Sequence, residues 1–127
     1  MFEQDYIMRL IREMVRALLK LLFHIDTQSP TADMFEDAEM KKQAEYLQRL
    51  VDDGKINEAE QELFDMVDRN NRNILGVALV FYSYLNDKED GWLTENGFSR
   101  EEIKQGIEDI VSAYGIDGFG EIFLEDE

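Results

Sequence analysis

The sequence predicts an all-α protein: a single compact domain of about five helices. Three observations carry that prediction. Apolar residues recur at spacings of three and four through most of the chain, as they do on a buried helix face. Capping residues and helix-stopping glycines fall between those runs. The chain has 127 residues, 44% of them apolar, which suits one domain able to bury a core without a disulfide or a metal. Cys is absent, so a disulfide scaffold, a thiol nucleophile and a thiolate zinc site are excluded.

The first element is a basic amphipathic helix within residues 1–25. Ile7, Leu10, Ile11, Met14, Leu18, Leu21 and Leu22 set its apolar face, and Met8, Val15 and Leu19 widen that face past half the circumference. Arg9, Arg12, Arg16 and Lys20 share the narrow remainder, a candidate interaction stripe. The connector to about Glu36 contains Ser29-Pro30, which suits either a helix start or a turn.

The acidic helical body spans 37–115. Its first helix runs from about Asp37 to Asp52 on Met40, Ala44, Leu47, Leu50 and Val51, and Gly54 ends it. The next is expected to start at Asn57 as N-cap, with Glu60 completing a capping box, and to bury Ala59, Leu63, Met66 and Val67. Ile74 to Leu85 carries no charge in twelve residues. Strand propensity is high there, but the length favours a helix, and a helix apolar all round belongs at the centre. Asp87 to Gly97 is a connection with at most a short turn near Trp92–Glu95. The last helix has Ser99 as N-cap, Glu102 closing the box and Phe98 stapled to Ile103; Gly106 on its apolar face permits close approach of a neighbour, and Gly115 stops it. Residues 116–127 form an acidic-apolar tail. Its Phe119, Ile122, Phe123 and Leu124 are a candidate contact with the body or with a second copy.

Charge is segregated. Residues 1–25 hold four cations against three acids, a net +1, so the rest of a −16 chain carries −17. That body disfavours direct binding of nucleic acid, whose phosphates need a basic surface. It could attract a basic or nucleic-acid-binding partner. The basic stripe has three readings: cations facing acids of their own body, a partner or self-association helix, and membrane-surface attachment, the last disfavoured because the wide apolar arc is needed for the core.

Chemistry is hard to place. With Gly54 at the sixth position of an EF-hand loop, Arg49 and Val51 fall where oxygen ligands are required; with Gly91 there, Gly97 replaces the final Glu. His24, the single imidazole, lies at a helix end where capping explains it. Ser99 is explained by capping, and no phosphate-binding glycine loop exists. No catalytic, cofactor or metal residue is assigned. No apolar run is long enough to span a membrane, and no signal-peptide pattern is present, so a cytoplasmic protein is expected.

Two resemblances add to this. YLQRLVDDGKINEAEQELFDMV, residues 46–67, resembles a tetratricopeptide-type helical hairpin, with Gly54 in the turn and Ala59 at the helix crossing. No second repeat follows at about 34 residues, which implies a local hairpin rather than a solenoid. FEQDYIMRLIREMVRALLKLLF, SPTAD, GKINEAE and FSREEIKQGIEDI together resemble a family of small, acidic, all-helical bacterial proteins of unknown function. The resemblance implies an all-helical domain and no particular activity. The expected role is therefore a non-enzymatic interaction or scaffold protein with an unidentified protein partner. Self-association would run through the tail or the first helix. A hydrolase-type enzyme with an unlocated carboxylate site is the alternative.

Overall fold

A computed structural model of the chain describes residues 2–116. Among the described residues are six α-helices and one 3-10 turn: α1 (Phe2–Phe23), the turn Ala32–Met34, α2 (Ala38–Asp52), α3 (Ile56–Asp65), α4 (Asn73–Asn86), α5 (Asp90–Glu95) and α6 (Arg100–Ala113). Among the described residues there is no strand, only an isolated bridge between Asp68 and Asn71. The 74–85 segment is helical. Ser29-Pro30 lies in the connector ahead of the 3-10 turn and starts no α-helix.

α4 is the centre. Of its fourteen residues only Asn73 and Tyr84 escape burial, and α1, α2 and α6 pack around it. Directions follow from contacts at its two ends. Asn86 near its C-terminus donates from its side-chain amide to the Met8 carbonyl of α1, while Phe23 of α1 lies against Gly76. α1 therefore runs antiparallel to α4. Arg100 at the start of α6 also meets Asn86, and Tyr114 just past its end donates to the Asn71 carbonyl, so α6 is antiparallel to α4 as well. Met40 at the start of α2 approaches Gly76 and Asp52 at its end meets Tyr84, which makes α2 parallel to α4.

Three helices end in the same way. Gly54 sits at φ +79°, its N–H bonded to the Val51 carbonyl while the Lys55 N–H reaches back to Leu50. This is the paired closure that a left-handed residue makes possible, and only glycine adopts it without strain. Gly97 and Gly115 close α5 and α6 with the same two bonds. α1 ends instead on His24, at φ +57°, whose N–H bonds to the Lys20 carbonyl.

Two expected details are corrected. α3 starts at Ile56, with Lys55 at the cap position and no side-chain cap, and Asn57 is exposed. The tight closure at Gly54 delivers the chain straight into the new helix, and burying Ile56 (2% exposed) outweighs a capping bond at Asn57. Glu60 is drawn inward and accepts the Tyr82 hydroxyl at 2.6 Å. The second correction is Leu21, expected on the apolar face of α1 but 67% exposed. α4 and α6 cover the Leu10–Met14–Leu18 side, and Leu21 falls on a flank that no described residue covers. The apolar arc of α1 is correspondingly narrower than the sequence suggests.

Candidate functional site

The outward half of α1 is set by what the inward half must bury. With Ile11, Met14, Val15, Leu18 and Leu19 each at 1% exposure or less, the helix has no rotational freedom. Arg9, Arg12, Arg16 and Lys20 are then forced together into solvent, and all four are exposed. The structure brings the sequence-predicted stripe together on one face. Arg12 reaches the body, its Nη2 lying 3.6 Å from Asp87 at the end of α4. No described carboxylate lies within 4.0 Å of Arg9, Arg16 or Lys20.

A cleft of about 450 Å³ opens beneath Arg12 and Arg16, between α1 and the connector. Gln28, Ser29, Thr31 and Ser83 supply neutral polar groups, with Val15 and Pro30 as its apolar walls. Glu13 and Asp87 stand on its edge. A shallower hollow of about 350 Å³ continues along the same face between Arg16 and Lys20. Two guanidiniums four residues apart on one helix match the spacing of carboxylates on an extended or helical peptide, and guanidinium forks favour such acceptors. His24 is exposed beyond the far end of α1 and does not line the cleft. Among the described residues no three carboxylate or imidazole side chains converge as metal ligands would. The candidate tail residues Phe119, Ile122, Phe123 and Leu124 lie outside the described residues.

A second constellation, invisible to pattern reading, joins α2, α4 and α5. Lys88 Nζ sits 4.7 Å from the Tyr84 ring centre and 4.9 Å from that of Trp92, and bonds Asp52 at 2.8 Å. The Tyr84 hydroxyl donates to the same carboxylate at 2.7 Å. Burial alone would push Asp52 up, but the bonds from Lys88 and Tyr84 hold it below the ordinary carboxylate range. This is a satisfied internal cage for an ammonium group. Spacing four apart (Tyr84, Lys88, Trp92) is the signal that could have found the ring–cation–ring part; Asp52 comes from another helix and left no trace in the local pattern.

The family model of DUF6483, a family of unknown function, matches residues 1–115. The chain belongs to that family. No curated protein and no solved structure shows significant similarity to it. In this DUF6483 member the match takes in all six helices, so the α1 face and its cleft are built from family residues. The match stops at Gly115, before the acidic-apolar tail. Among the described residues, no helix is long and apolar enough to cross a membrane.

Proposed function

We propose that the chain is a non-catalytic protein-interaction domain of the bacterial cytoplasm whose α1 outer face receives an acidic segment of a partner protein. One observation carries this reading. A chain of net charge −16 concentrates four exposed cations on one helix face, above a cleft, and among the described residues carboxylates engage only Arg12 of the four, at 3.6 Å. An exposed ion pair at that distance is worth well under about 1 kcal/mol, so it does not explain the stripe as a stabilising device. Attachment to a membrane would need an apolar face free to enter lipid, whereas that face of α1 is buried against α4 and α6. Phosphate polymers would meet a net −17 on the rest of the chain. Hydrolysis at the cleft has little support: Ser83 lacks an imidazole beside it, since His24 is elsewhere.

The test is affinity capture from native lysate at low salt. It compares the wild type with a variant in which Arg9, Arg12, Arg16 and Lys20 are Gln. A discrete protein retained by the wild type, released by salt and absent from an equally stable variant is the expected result. Equal retention by both proteins would end the proposal. So would cosedimentation of the wild type with anionic vesicles but with no protein.

A further inference from the structure

Ser83 is the one buried polar side chain of α4 that the fold does not use. The Tyr82 hydroxyl goes to Glu60, and the Asn86 side chain donates to the Met8 carbonyl and accepts from Arg100. Ser83 is 8% exposed, and its hydroxyl has no hydrogen-bond partner among the described residues, not even the carbonyl one turn back that a helical serine often takes. The oxygen is not sealed in, because Ser83 lines the cleft of about 450 Å³ beneath Arg12 and Arg16. A buried polar group without a partner needs a reason, and this one opens onto a cleft. We propose that the cleft seats the C-terminal carboxylate of the partner's acidic segment, with Ser83 as a donor on its floor. This rests on the reading of the α1 face as the seat of that segment, and specifies which group of it enters.

Charge selects a carboxylate. Two cations line the cleft, Arg12 and Arg16, and so do two acids, Glu13 and Asp87. Arg12 already lies 3.6 Å from Asp87, whereas Arg16 has no described carboxylate within 4.0 Å. Arg16 is the cation to spare, and a monoanion balances it. A phosphoryl dianion would bring a second negative charge against Glu13 and Asp87. Gln28, Ser29 and Thr31 add neutral donors from the connector.

The rest of the lining selects a chain end over a side chain. An acidic side chain offers acceptors only, and leaves the carboxylates on the cleft's edge with nothing to accept. A C-terminal residue carries its carboxylate and a backbone N–H together, so it can face Arg16 and Ser83 with one group and Glu13 or Asp87 with the other. Its own side chain has Val15 and Pro30 to lie against. The residues before it have the adjoining hollow, bordered by Arg16 and Lys20, as their path along α1.

The test titrates the full chain by calorimetry at low salt. One probe is an N-acetylated peptide of four acidic residues ending in valine, as the free acid. The other is its C-terminal amide with one further internal glutamate, so that both carry the same net charge. The free acid should bind about tenfold tighter or more, and Ser83→Ala should cost it about tenfold, the worth of one hydrogen bond to a charged acceptor, while leaving the amide's binding unchanged. The variant loses an unpartnered hydroxyl and gains helix propensity, so its melting temperature should equal or exceed that of wild type. Equal binding of the two peptides overturns the proposal and gives the cleft to internal carboxylates. Tighter binding of an amide peptide bearing phosphoserine overturns it in favour of a phosphoryl group. N-acetylvaline binding as tightly as the free-acid peptide overturns it in favour of a small carboxylate. No binding of either peptide, or an undiminished preference for the free acid in Ser83→Ala, overturns it too. The capture experiment is separable: a partner lost with the four-Gln variant but indifferent to Ser83→Ala would keep the acidic-segment reading and end this one.

Discussion

Arg100 shows how much one side chain can hold. It is 2% exposed at the first position of α6, a place where the helix dipole disfavours a cation. Its Nη1 donates to the Asn86 carbonyl at 2.9 Å and its Nη2 to the Lys88 carbonyl at 2.9 Å and to Asp90 at 2.8 Å. It therefore closes the end of α4 and ties α5 and α6 to it, while Asn86 extends the link to α1. Arg100→Met keeps volume but strands buried carbonyls, and should cost about 3 kcal/mol in denaturant unfolding. Arg100 falls in register with Ile103, Ile107 and Val111 on the apolar face of α6, so its burial had a trace in the spacing; its partners Asn86, Lys88 and Asp90 lie outside α6 and left none in that helix's pattern. Gly106 is the opposite case. Its close approach was readable from a glycine on an apolar stripe, and the structure supplies the neighbour: a Cβ there would begin within 2.6 Å of the Tyr82 ring. Gly106→Ala should destabilise by about 1–3 kcal/mol, since the Tyr82 ring is fixed on central α4 and cannot easily yield.

At the scale of elements, helices with strong local signals were placed to within a residue or two. α2 has Asp37 capping the Glu39 and Met40 amides, and α6 has Ser99 accepting the Glu102 N–H at 3.2 Å. The Glu102 half of the expected box differs: its carboxylate takes the Ser99 hydroxyl at 3.1 Å. α3 was misplaced because its start is decided by tertiary burial of Ile56, which a capping rule does not weigh. The same shift creates a pH-sensitive seam between α3, α4 and α6. Burial pushes Glu60 above the usual carboxylate range against the opposing bond from Tyr82, with Glu102 and Asp109 adding to the rise. A carboxylate raised in the folded state binds its proton more tightly there than in the unfolded chain. Its contribution is then fully present below the unfolded value and is lost as pH rises through the folded one. Glu60→Gln, which can still accept from Tyr82, should remove that loss. Chemical denaturation from acid to neutral pH should show the variant at least as stable as wild type at neutrality, with a flatter dependence above the usual Glu range. A variant less stable at neutral pH would show that the ionised form is the preferred partner of Tyr82.

For the molecule as a whole, the fold class followed from periodicity and stop signals, because packing of one long apolar segment leaves few alternatives. The candidate sites were only half visible. The α1 stripe could be read because its four cations share one helix. The cleft below it could not, since Ser83 and Thr31 line it from segments remote from Arg12 in sequence. Segregated charge nonetheless makes a whole-molecule prediction. Uniform self-repulsion of a −16 chain should make added salt raise the melting temperature by screening. The four-Gln variant of α1 removes the positive face and deepens the imbalance, so salt should raise its melting temperature by more than it raises that of wild type. An equal response would show that the stripe does not offset the body's field.

The enclosure of α4 also sets a clock. Its amides between Val77 and Leu85 cannot meet solvent deuterium through local fraying, because no surface of that helix can peel away alone. Their exchange should report the global opening of the domain. Exchange in α5, six residues of which only Leu93 is buried, should run far ahead of it. The slowest amides would then measure the lifetime of the fold, and any ligand of the outer surfaces would announce itself as a slowing at the centre, far from where it binds.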